Sequence, residues 1–332
     1  MKYSVIVPVY NRPGEVADLL MSLAAQTFKD FEVVLVEDGS SVPCRAEADA
    51  ARALGLNVKY HYKDNEGRSI ARNYGLERAQ GEYFIFFDSD CVIPEKYFET
   101  VDKALSDKPM DCFGGPDAAH SSFTDVQKAI NFSMTSFFTT GGIRGGKRSL
   151  EKFVPRTFNM GFSRRVYEDV GGFREMFSED IDMSTRIKQA GFSIGLIADA
   201  AVWHKRRIDF GKFLRQVYVF GMSRITLKLL YPDSLKAVHT LPALLVLGTV
   251  ALILMAIFFS PWWLTPLAAL VMIWFVAAWT DTGSLKIALL AVPACVIQLY
   301  GYGCGFIYAY VRKILLGGGR NQAEEVAMRK GK

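Results

Sequence analysis

Two pairs of acidic residues in this 332-residue sequence have the chemistry of a reaction centre. Asp88 and Asp90 follow the apolar run FIFF (residues 84–87), and Glu179 and Asp180 are adjacent in "SEDIDMSTRIKQAG". Two carboxylates in a half-buried site repel each other unless a positive charge lies near them. Hard oxygen ligands suit Mg²⁺ or Mn²⁺, which proteins usually bind together with substrate phosphates. The first pair therefore indicates a divalent-metal site.

Each pair also has a simpler explanation. Carboxylates at the end of a strand commonly cap a loop. Glu179 and Asp180 follow Ser178, which is placed to cap a helix, and acids in a first helical turn stabilise the helix through its dipole. Neither pair establishes a catalytic role by itself. Such a role needs support from other motifs that occur with the two pairs in a characteristic order.

Alternating strands and helices would position the first pair. Four segments predict strands: "YSVIVPVY", "FEVVLVED", "NVKYHYK" and "EYFIFFD". Helical spacing occurs in "GEVADLLMSLAAQ" and in "GRSIARNYGLERAQ", which should end at Gly81 as a left-handed cap. This alternation is typical of a parallel sheet covered on both faces. Such sheets bind ligands at the carboxyl ends of their strands, where Asp38 and Asp88 lie.

Composition narrows the class of protein. The formal charge of +5 is too small to indicate a nucleic-acid partner. The five cysteines are odd in number and lack metal-ligand spacing, so we expect free thiols in a reducing compartment. No signal-peptide pattern opens the sequence, and we expect no leader.

The C-terminal third is apolar enough for a membrane. Three stretches each supply the ~20 apolar residues of a membrane span: "VHTLPALLVLGTVALILMAIFFS", "PWWLTPLAALVMIWFVAAW" and residues 287–311. Before them, "FGKFLRQVYVFGMSRITLKLLY" has the pattern of an amphipathic helix on a membrane surface. Residues 205–236 hold eight Lys or Arg against two Asp, which predicts a cytoplasmic flank. The basic tail after residue 311 also favours the cytoplasmic side, whereas three spans would place it on the opposite side. Either the third stretch is re-entrant or splits into two short spans, or the tail is an exception to the charge rule.

Four motifs occur in an order and spacing that resembles the family-2 glycosyltransferases: "VIVPVYN", "VEDGSS", "GRSIARNYGLERAQGEYFIFFDSD" and "GGFREMFSEDIDMSTRIKQAGF". The resemblance covers roughly residues 1–210. It implies an α/β catalytic domain with the GT-A fold (Rossmann-like, mostly parallel sheet), followed here by an α-helical membrane region. It also implies an inverting enzyme that uses a nucleotide-sugar donor, with a UDP-sugar favoured over a GDP-sugar.

The resemblance implies roles at the donor site. Pro8 and Tyr10 would line the nucleoside pocket, and Asp38 would accept a hydrogen bond from the base. Arg72 would lie near the diphosphate, and Asp88 would face the ribose or the sugar.

It likewise implies a metal site and a base. Asp90 would bind Mg²⁺ or Mn²⁺ together with Asp88, and His204 in "VWHKRR" would be either a further ligand or a packed or solvated side chain. Asp180 would be the general base, with Glu179 as the next candidate. A divalent ion neutralises the charge on a leaving diphosphate, and a positioned carboxylate base typically supplies ~10²–10⁴ in rate.

One departure from the family bears on the acceptor. Processive members carry a Gln-x-x-Arg-Trp motif, whereas Gln216 here has no Arg-Trp partner. We therefore expect a non-processive enzyme that adds one sugar to a lipid-linked, membrane-associated glycan, with its catalytic domain on the cytoplasmic side of a bacterial-type inner or plasma membrane.

Arg206 and Arg207 would meet a phosphate or flank the membrane, and the loop "GGIRGGKR" is mobile or a linker. The expected segments are a nucleotide-sugar half (1–110), an acceptor half (111–209), an interfacial helix (210–236), membrane helices (237–316) and a polar tail (317–332).

Three other functions share some of these features. A polyprenyl-phosphate glycosyltransferase would use a lipid phosphate as acceptor and need little help from a base. A nucleotidyltransferase also uses acidic metal ligands, but no Gly-rich phosphate loop follows the first strand. A nucleotide-sensing membrane protein with an inactive site would not need both intact acidic pairs.

Overall fold

The computed structural model describes residues 1–118, 123–141, 153–204 and 209–318. They form two compact units, the first from residues 1–118 and 153–204 and the second from residues 123–141 and 209–318. Most of the loop "GGIRGGKR", together with Arg206, Arg207 and the tail after residue 318, lies outside the described residues.

The strands of the described chain all lie in the first unit. They are β1 Tyr3–Val9, β2 Phe31–Asp38, β3 Val58–Lys63, β4 Tyr83–Phe86, β5 Cys91–Val92, β6 Cys112–Gly114, β7 Asp117–Ala118, β8 Met160–Ser163, β9 Ile194–Leu196 and β10 Val202–His204.

The α-helices are divided between the units. Those of the whole described chain, in order, are α1 Pro13–Ala24, α2 Arg45–Ala53, α3 Arg68–Leu76, α4 Tyr97–Asp107, α5 Asp125–Thr135, α6 Phe137–Thr140, α7 Arg164–Val170, α8 Glu179–Gln189, α9 Phe210–Leu230, α10 Ala237–Phe258, α11 Thr265–Thr282, α12 Leu285–Val296 and α13 Tyr302–Tyr310.

The main sheet has seven strands in the order β3-β2-β1-β4-β8-β6-β9. The four predicted strands β1 to β4 pair in parallel, and β9 pairs in parallel with β6. Only β8 runs against its neighbours β4 and β6. The mostly parallel α/β sheet expected from the sequence is therefore confirmed.

Both faces of this sheet are buried, as its apolar strands predict. Alternate residues of β1 point to opposite faces. Val5 and Val7 pack with α1, α2 and α4 on one face. Ile6 packs with Val34, Phe84 and residues of α3, α7 and α8 on the other.

Gly81 does not have the role expected of it. Helix α3 ends at Leu76, and Gly81 is not among the glycines with a positive φ angle. A Cβ atom on Gly81 would lie 2.6 Å from the backbone nitrogen of Ser4. Glycine is therefore required here by the close approach of two backbones, and not by a helix cap.

The second unit is helical and contains three helices long and apolar enough to cross a membrane: Ala237–Phe258, Pro261–Thr282 and Leu285–Leu315. The last is one continuous helical run of 31 residues that contains α12, α13 and two π-helical segments. Helix α9 packs closely on α13, because a Cβ on Gly221 would lie only 2.0 Å from the carbonyl oxygen of Tyr302.

Helices α5 and α6 belong to this second unit, although they fall in the segment 111–209. Ala129 and Phe132 of α5 share a hydrophobic cluster with Ala288 and Ala291 of α12. Burial of this apolar face stabilises α5 within the second unit.

Candidate active site

The carboxyl edge of the main sheet brings several expected site residues together. Tyr10 follows β1, Asp38 ends β2 and Asp88 follows β4, and these parallel strands end at the same edge. Pro8 lies within β1 and is partly buried, whereas Tyr10 is 46% exposed. The Tyr10 ring is thus available to a ligand at this edge.

Asn11 joins two of these loops and was not singled out in the sequence. Its backbone N–H donates to Ser40 Oγ at 2.7 Å, and its Oδ1 accepts from Ser41 Oγ and from the Val42 N–H, both at 3.0 Å. Asn11 also has a positive φ of 53°, which asparagine tolerates better than most residues. These contacts fix the loop that carries Tyr10, and the only sequence signal was the asparagine of "VIVPVYN".

Asp38 is buried and organises the loop after β3. Its Oδ1 accepts from the Glu66 N–H and from Lys63 Nζ, each at 3.0 Å, and its Oδ2 accepts from the Gly67 N–H at 2.9 Å. The carboxylate expected to bind the base is therefore already held by the residues that lead into α3.

Arg72 lies deeper than the resemblance implied. Its side chain is only 1% exposed, and it donates to Asp88 Oδ1 and to Glu179 Oε1, both at 2.8 Å. Arg72 thus joins the carboxylate after β4 to the start of α8, and little of its guanidinium is accessible from the carboxyl edge.

Arg68 is the more accessible cation of this cluster and was missed in the sequence. It lies one helical turn before Arg72 on α3, so the i, i+4 spacing in "GRSIAR" was the available signal. Its Nε lies 2.8 Å from Glu179 Oε1 and its Nη2 lies 2.9 Å from Oε2, with 48% of the side chain exposed. Burial lowers the pKa of Arg68, but the charges of Glu179, Asp88 and Asp180 outweigh burial and raise it. Glu179 therefore contacts this guanidinium, and Asp88 and Asp180 act on it through their charge.

The two acids at the start of α8 have different surroundings. Glu179 is 2% exposed and is held by two arginines. Asp180 is 17% exposed; its Oδ1 accepts from the Ile181 N–H at 2.8 Å, and its Oδ2 lies 3.4 Å from Arg156 Nη1. Ser178 stands at the N-cap position without a capping hydrogen bond from its side chain. Of the two acids, Asp180 is the more accessible to a substrate.

Asp90 and His204 meet although they are far apart in the chain. A second sheet of three strands has the order β5-β10-β7, and within it Cys91 of β5 pairs with His204 of β10. This pairing brings His204 Nε2 to 3.2 Å from Asp90 Oδ1. The other oxygen of Asp90 accepts from Arg12 Nη1 at 2.8 Å. Arg12 is a further residue that the sequence analysis missed, although it follows the carboxyl end of β1.

This pair has the donor chemistry of a divalent-metal site. Adjacent ligands of an octahedral ion at 2.0–2.1 Å lie about 3 Å apart, close to the separation of Asp90 Oδ1 and His204 Nε2. Cys91 Sγ also lies within 4.8 Å of both atoms. Burial raises the pKa of the Cys91 thiol well above its ordinary value, and a soft sulfur ligand suits Mg²⁺ or Mn²⁺ less well than oxygen does. The oxygen and nitrogen donors therefore fit Mg²⁺ or Mn²⁺.

Comparison with known proteins shows the family of this chain. Residues 4–171, just over half of the chain, match the description "Glycosyl transferase family 2". Glycosyltransferase AglE of Haloferax volcanii is 28% identical over 251 residues, which cover 74% of this chain and 80% of AglE. Minor teichoic acid biosynthesis protein GgaB of Bacillus subtilis is 38% identical over 104 residues, but this match covers only 11% of GgaB and 30% of this chain.

A solved structure shows the same fold. Mannosyltransferase PcManGT from Pyrobaculum calidifontis, in complex with GDP-Man and Mn²⁺, aligns with 95% of this chain and 87% of its own, with a TM-score of 0.58. Its sequence identity to this chain is 19%, so the likeness concerns the fold alone.

Proposed function

Because this chain belongs to glycosyl transferase family 2, we propose that it moves a single sugar, with inversion, from a nucleoside diphosphate sugar to a lipid-linked glycan at a membrane. The observation that carries the proposal is the approach of Asp90 Oδ1 to His204 Nε2 at 3.2 Å, beside the carboxyl edge where Asp88 lies. A divalent ion stabilises the charge on a leaving diphosphate, and in the described part of the chain Asp90 and His204 offer ligands for one.

The donor would lie along the carboxyl edge of the sheet. Tyr10 offers an exposed ring for the nucleobase, and the loop held by Asp38 forms the neighbouring wall. Arg68, with half its side chain exposed, would meet the diphosphate in place of the buried Arg72. We keep a UDP-sugar ahead of a GDP-sugar as the first donor to test.

Mg²⁺ or Mn²⁺ would be held by Asp90 and His204, with Asp88 as the neighbouring carboxylate. When bound, the ion stabilises the negative charge that grows on the leaving diphosphate. Arg12 keeps one oxygen of Asp90 engaged at 2.8 Å, so the other oxygen faces His204.

Asp180 would take the proton of the attacking hydroxyl. Its partial exposure and its place at the start of α8 suit a base, whereas both oxygens of Glu179 are held by arginines. A single base without a carboxylate nucleophile leads to one direct displacement, and therefore to inversion.

The second unit supports the proposal of a membrane-associated acceptor. Three helices are long and apolar enough to cross a membrane, and α9 before them carries basic residues that suit a membrane surface. We propose a multi-pass protein of an inner or plasma membrane whose first unit is cytoplasmic. The missing Arg-Trp partner of Gln216 supports transfer of one sugar instead of a polymer.

The proposal can be tested with the full chain purified in detergent. A panel of UDP- and GDP-sugars is incubated with Mn²⁺, Mg²⁺ or chelator and a lipid-linked glycan extract, and nucleoside diphosphate release is measured. We expect release from one donor class that needs both metal and acceptor. Release that is equal in chelator, or no release from any sugar nucleotide, would contradict the proposal. Release that requires only a polyprenyl phosphate would favour the lipid phosphate as acceptor.

A further inference from the structure

Asp117 is a buried carboxylate that faces the histidine of the candidate metal site. Strand β7 runs beside β10, with Asp117 paired to Val202. The Asp117 side chain is fully buried, and its Oδ2 lies 4.0 Å from His204 Nδ1. Asp117 is not one of the residues to which the family resemblance assigns a role.

The two ring nitrogens of His204 therefore face two different carboxylates. Nε2 lies 3.2 Å from Asp90 Oδ1, while Nδ1 is buried on the side of Asp117 and has no hydrogen-bond partner among the described residues. The imidazole also stacks on Phe158 with ring centroids 4.9 Å apart and planes 23° apart. This stacking restricts the ring plane, but it does not determine which nitrogen points to Asp90.

We propose that Asp117 is a positioning residue that keeps His204 in the orientation needed to bind the metal. At 4.0 Å, Asp117 Oδ2 and His204 Nδ1 are in charge contact and not hydrogen-bonded. The negative charge still favours the tautomer with hydrogen on Nδ1, which leaves the Nε2 lone pair directed toward Asp90. The inference rests on the proposed metal site and adds the residue that makes its histidine a competent ligand. Loss of such a carboxylate typically weakens metal binding ~10–100-fold.

The alternative is that Asp117 only stabilises the small sheet. Its substitution would then lower the stability of the fold and leave metal affinity unchanged. Metal affinity measured in the folded protein separates the two roles, and it does not depend on the sugar donor or on turnover.

Mn²⁺ is titrated into the full chain in detergent, and free Mn²⁺ is followed by electron paramagnetic resonance. Asp117→Asn, His204→Ala and the double variant are compared with wild type. We expect Asp117→Asn to weaken Mn²⁺ binding ~10–100-fold, and the double variant to bind as His204→Ala does. The matched control is Glu32→Gln, a fully buried carboxylate near the opposite end of β2 that pairs with Lys59. This control should keep wild-type Mn²⁺ affinity.

The outcomes distinguish this inference from the proposed function. If His204→Ala weakens Mn²⁺ binding but Asp117→Asn does not, or if the two losses simply add, Asp117 does not act through His204 and only this inference fails. If His204→Ala leaves Mn²⁺ affinity unchanged, the metal site itself is wrong and the inference fails with it.

A second variant of Asp117 keeps the test informative if Asp117→Asn folds poorly. Asp117→Ser is examined by the imidazole nitrogen coupling to bound Mn²⁺ in pulsed resonance spectra. We expect this coupling in wild type and its loss in the variant. Retained coupling would overturn the inference. Failure of both variants to fold would also overturn it, because Asp117 would then be a residue of stability.

Discussion

Replacing the buried Arg72 with methionine should destabilise the first unit strongly. Arg72 is 1% exposed and donates to both Asp88 and Glu179 at 2.8 Å. Methionine removes the charge and leaves Glu179, itself 2% exposed, with Arg68 as its remaining arginine in this cluster. Removing one partner of a buried ion pair typically costs ~3–5 kcal/mol. That is a large share of the roughly 5–15 kcal/mol that holds a domain folded.

Arg68→Met is the matched control. It removes the same charge from the same carboxylate, but the Arg68 side chain is 48% exposed, so solvent screening limits the cost to about 1 kcal/mol. In a unit of this size each kcal/mol shifts the melting temperature by roughly 2–4 °C. We therefore expect Arg72→Met to melt roughly 6–20 °C below wild type, and Arg68→Met less than about 4 °C below it.

Thermal unfolding of the full chain in detergent, followed by circular dichroism, measures both shifts, and titration with nucleoside diphosphate measures the donor site. Arg68→Met should lose donor affinity while keeping its fold. If Arg72→Met melted within about 3 °C of wild type and bound nucleotide weakly, Arg72 would contact the diphosphate and our account of its burial would be refuted.

Three further predictions concern the reaction and the membrane. Asp180→Asn should lower the catalytic constant by ~10²–10⁴, about 3–5 kcal/mol, with unchanged nucleotide affinity; turnover within about threefold of wild type, measured by diphosphate release, would remove Asp180 as the base. Asp90→Asn should abolish turnover even at high Mn²⁺, because it removes the charged ligand, and full activity in chelator would contradict this. A cysteine replacing Leu54, which is 57% exposed, should react with an impermeant thiol reagent only after the cell membrane is opened, since the first unit is proposed to be cytoplasmic; labelling of intact cells would reverse the orientation.

Much of the first unit could be predicted because its signals are local. Strands β1 and β2 are mostly apolar runs and β3 is rich in β-branched and aromatic residues, and the bounds of all three agree with the sequence within one residue at each end. The placement of Asp38 and Asp88 at one edge then follows from parallel pairing alone. By contrast, β6 and β9 have only three residues each, and so short a run carries little periodicity.

The finer arrangement of the site could not be predicted, because it depends on pairing between distant segments. Nothing local in "FGGPDAA" shows that Asp117 lies beside His204, since strands of two or three residues bring them together. The burial of the Arg72 side chain could not be predicted for a similar reason. Whether a cation in a helix faces a ligand or a buried carboxylate is decided by the acid that arrives from α8, more than a hundred residues later.

The packing of α5 on α12 has a consequence for synthesis of the chain. Helix α5 ends at Thr135 and its partner begins at Leu285, about 150 residues later. At roughly 5–20 residues per second, the ribosome completes α5 about 8–30 s before its partner starts to emerge. During this interval the apolar side of α5, with Ala129 and Phe132, lacks the part of its final cover that Ala288 and Ala291 of α12 provide. A nascent chain stalled before the last membrane segment would therefore expose a surface that chaperones and quality-control proteases recognise, even if the sheet that precedes α5 had already folded.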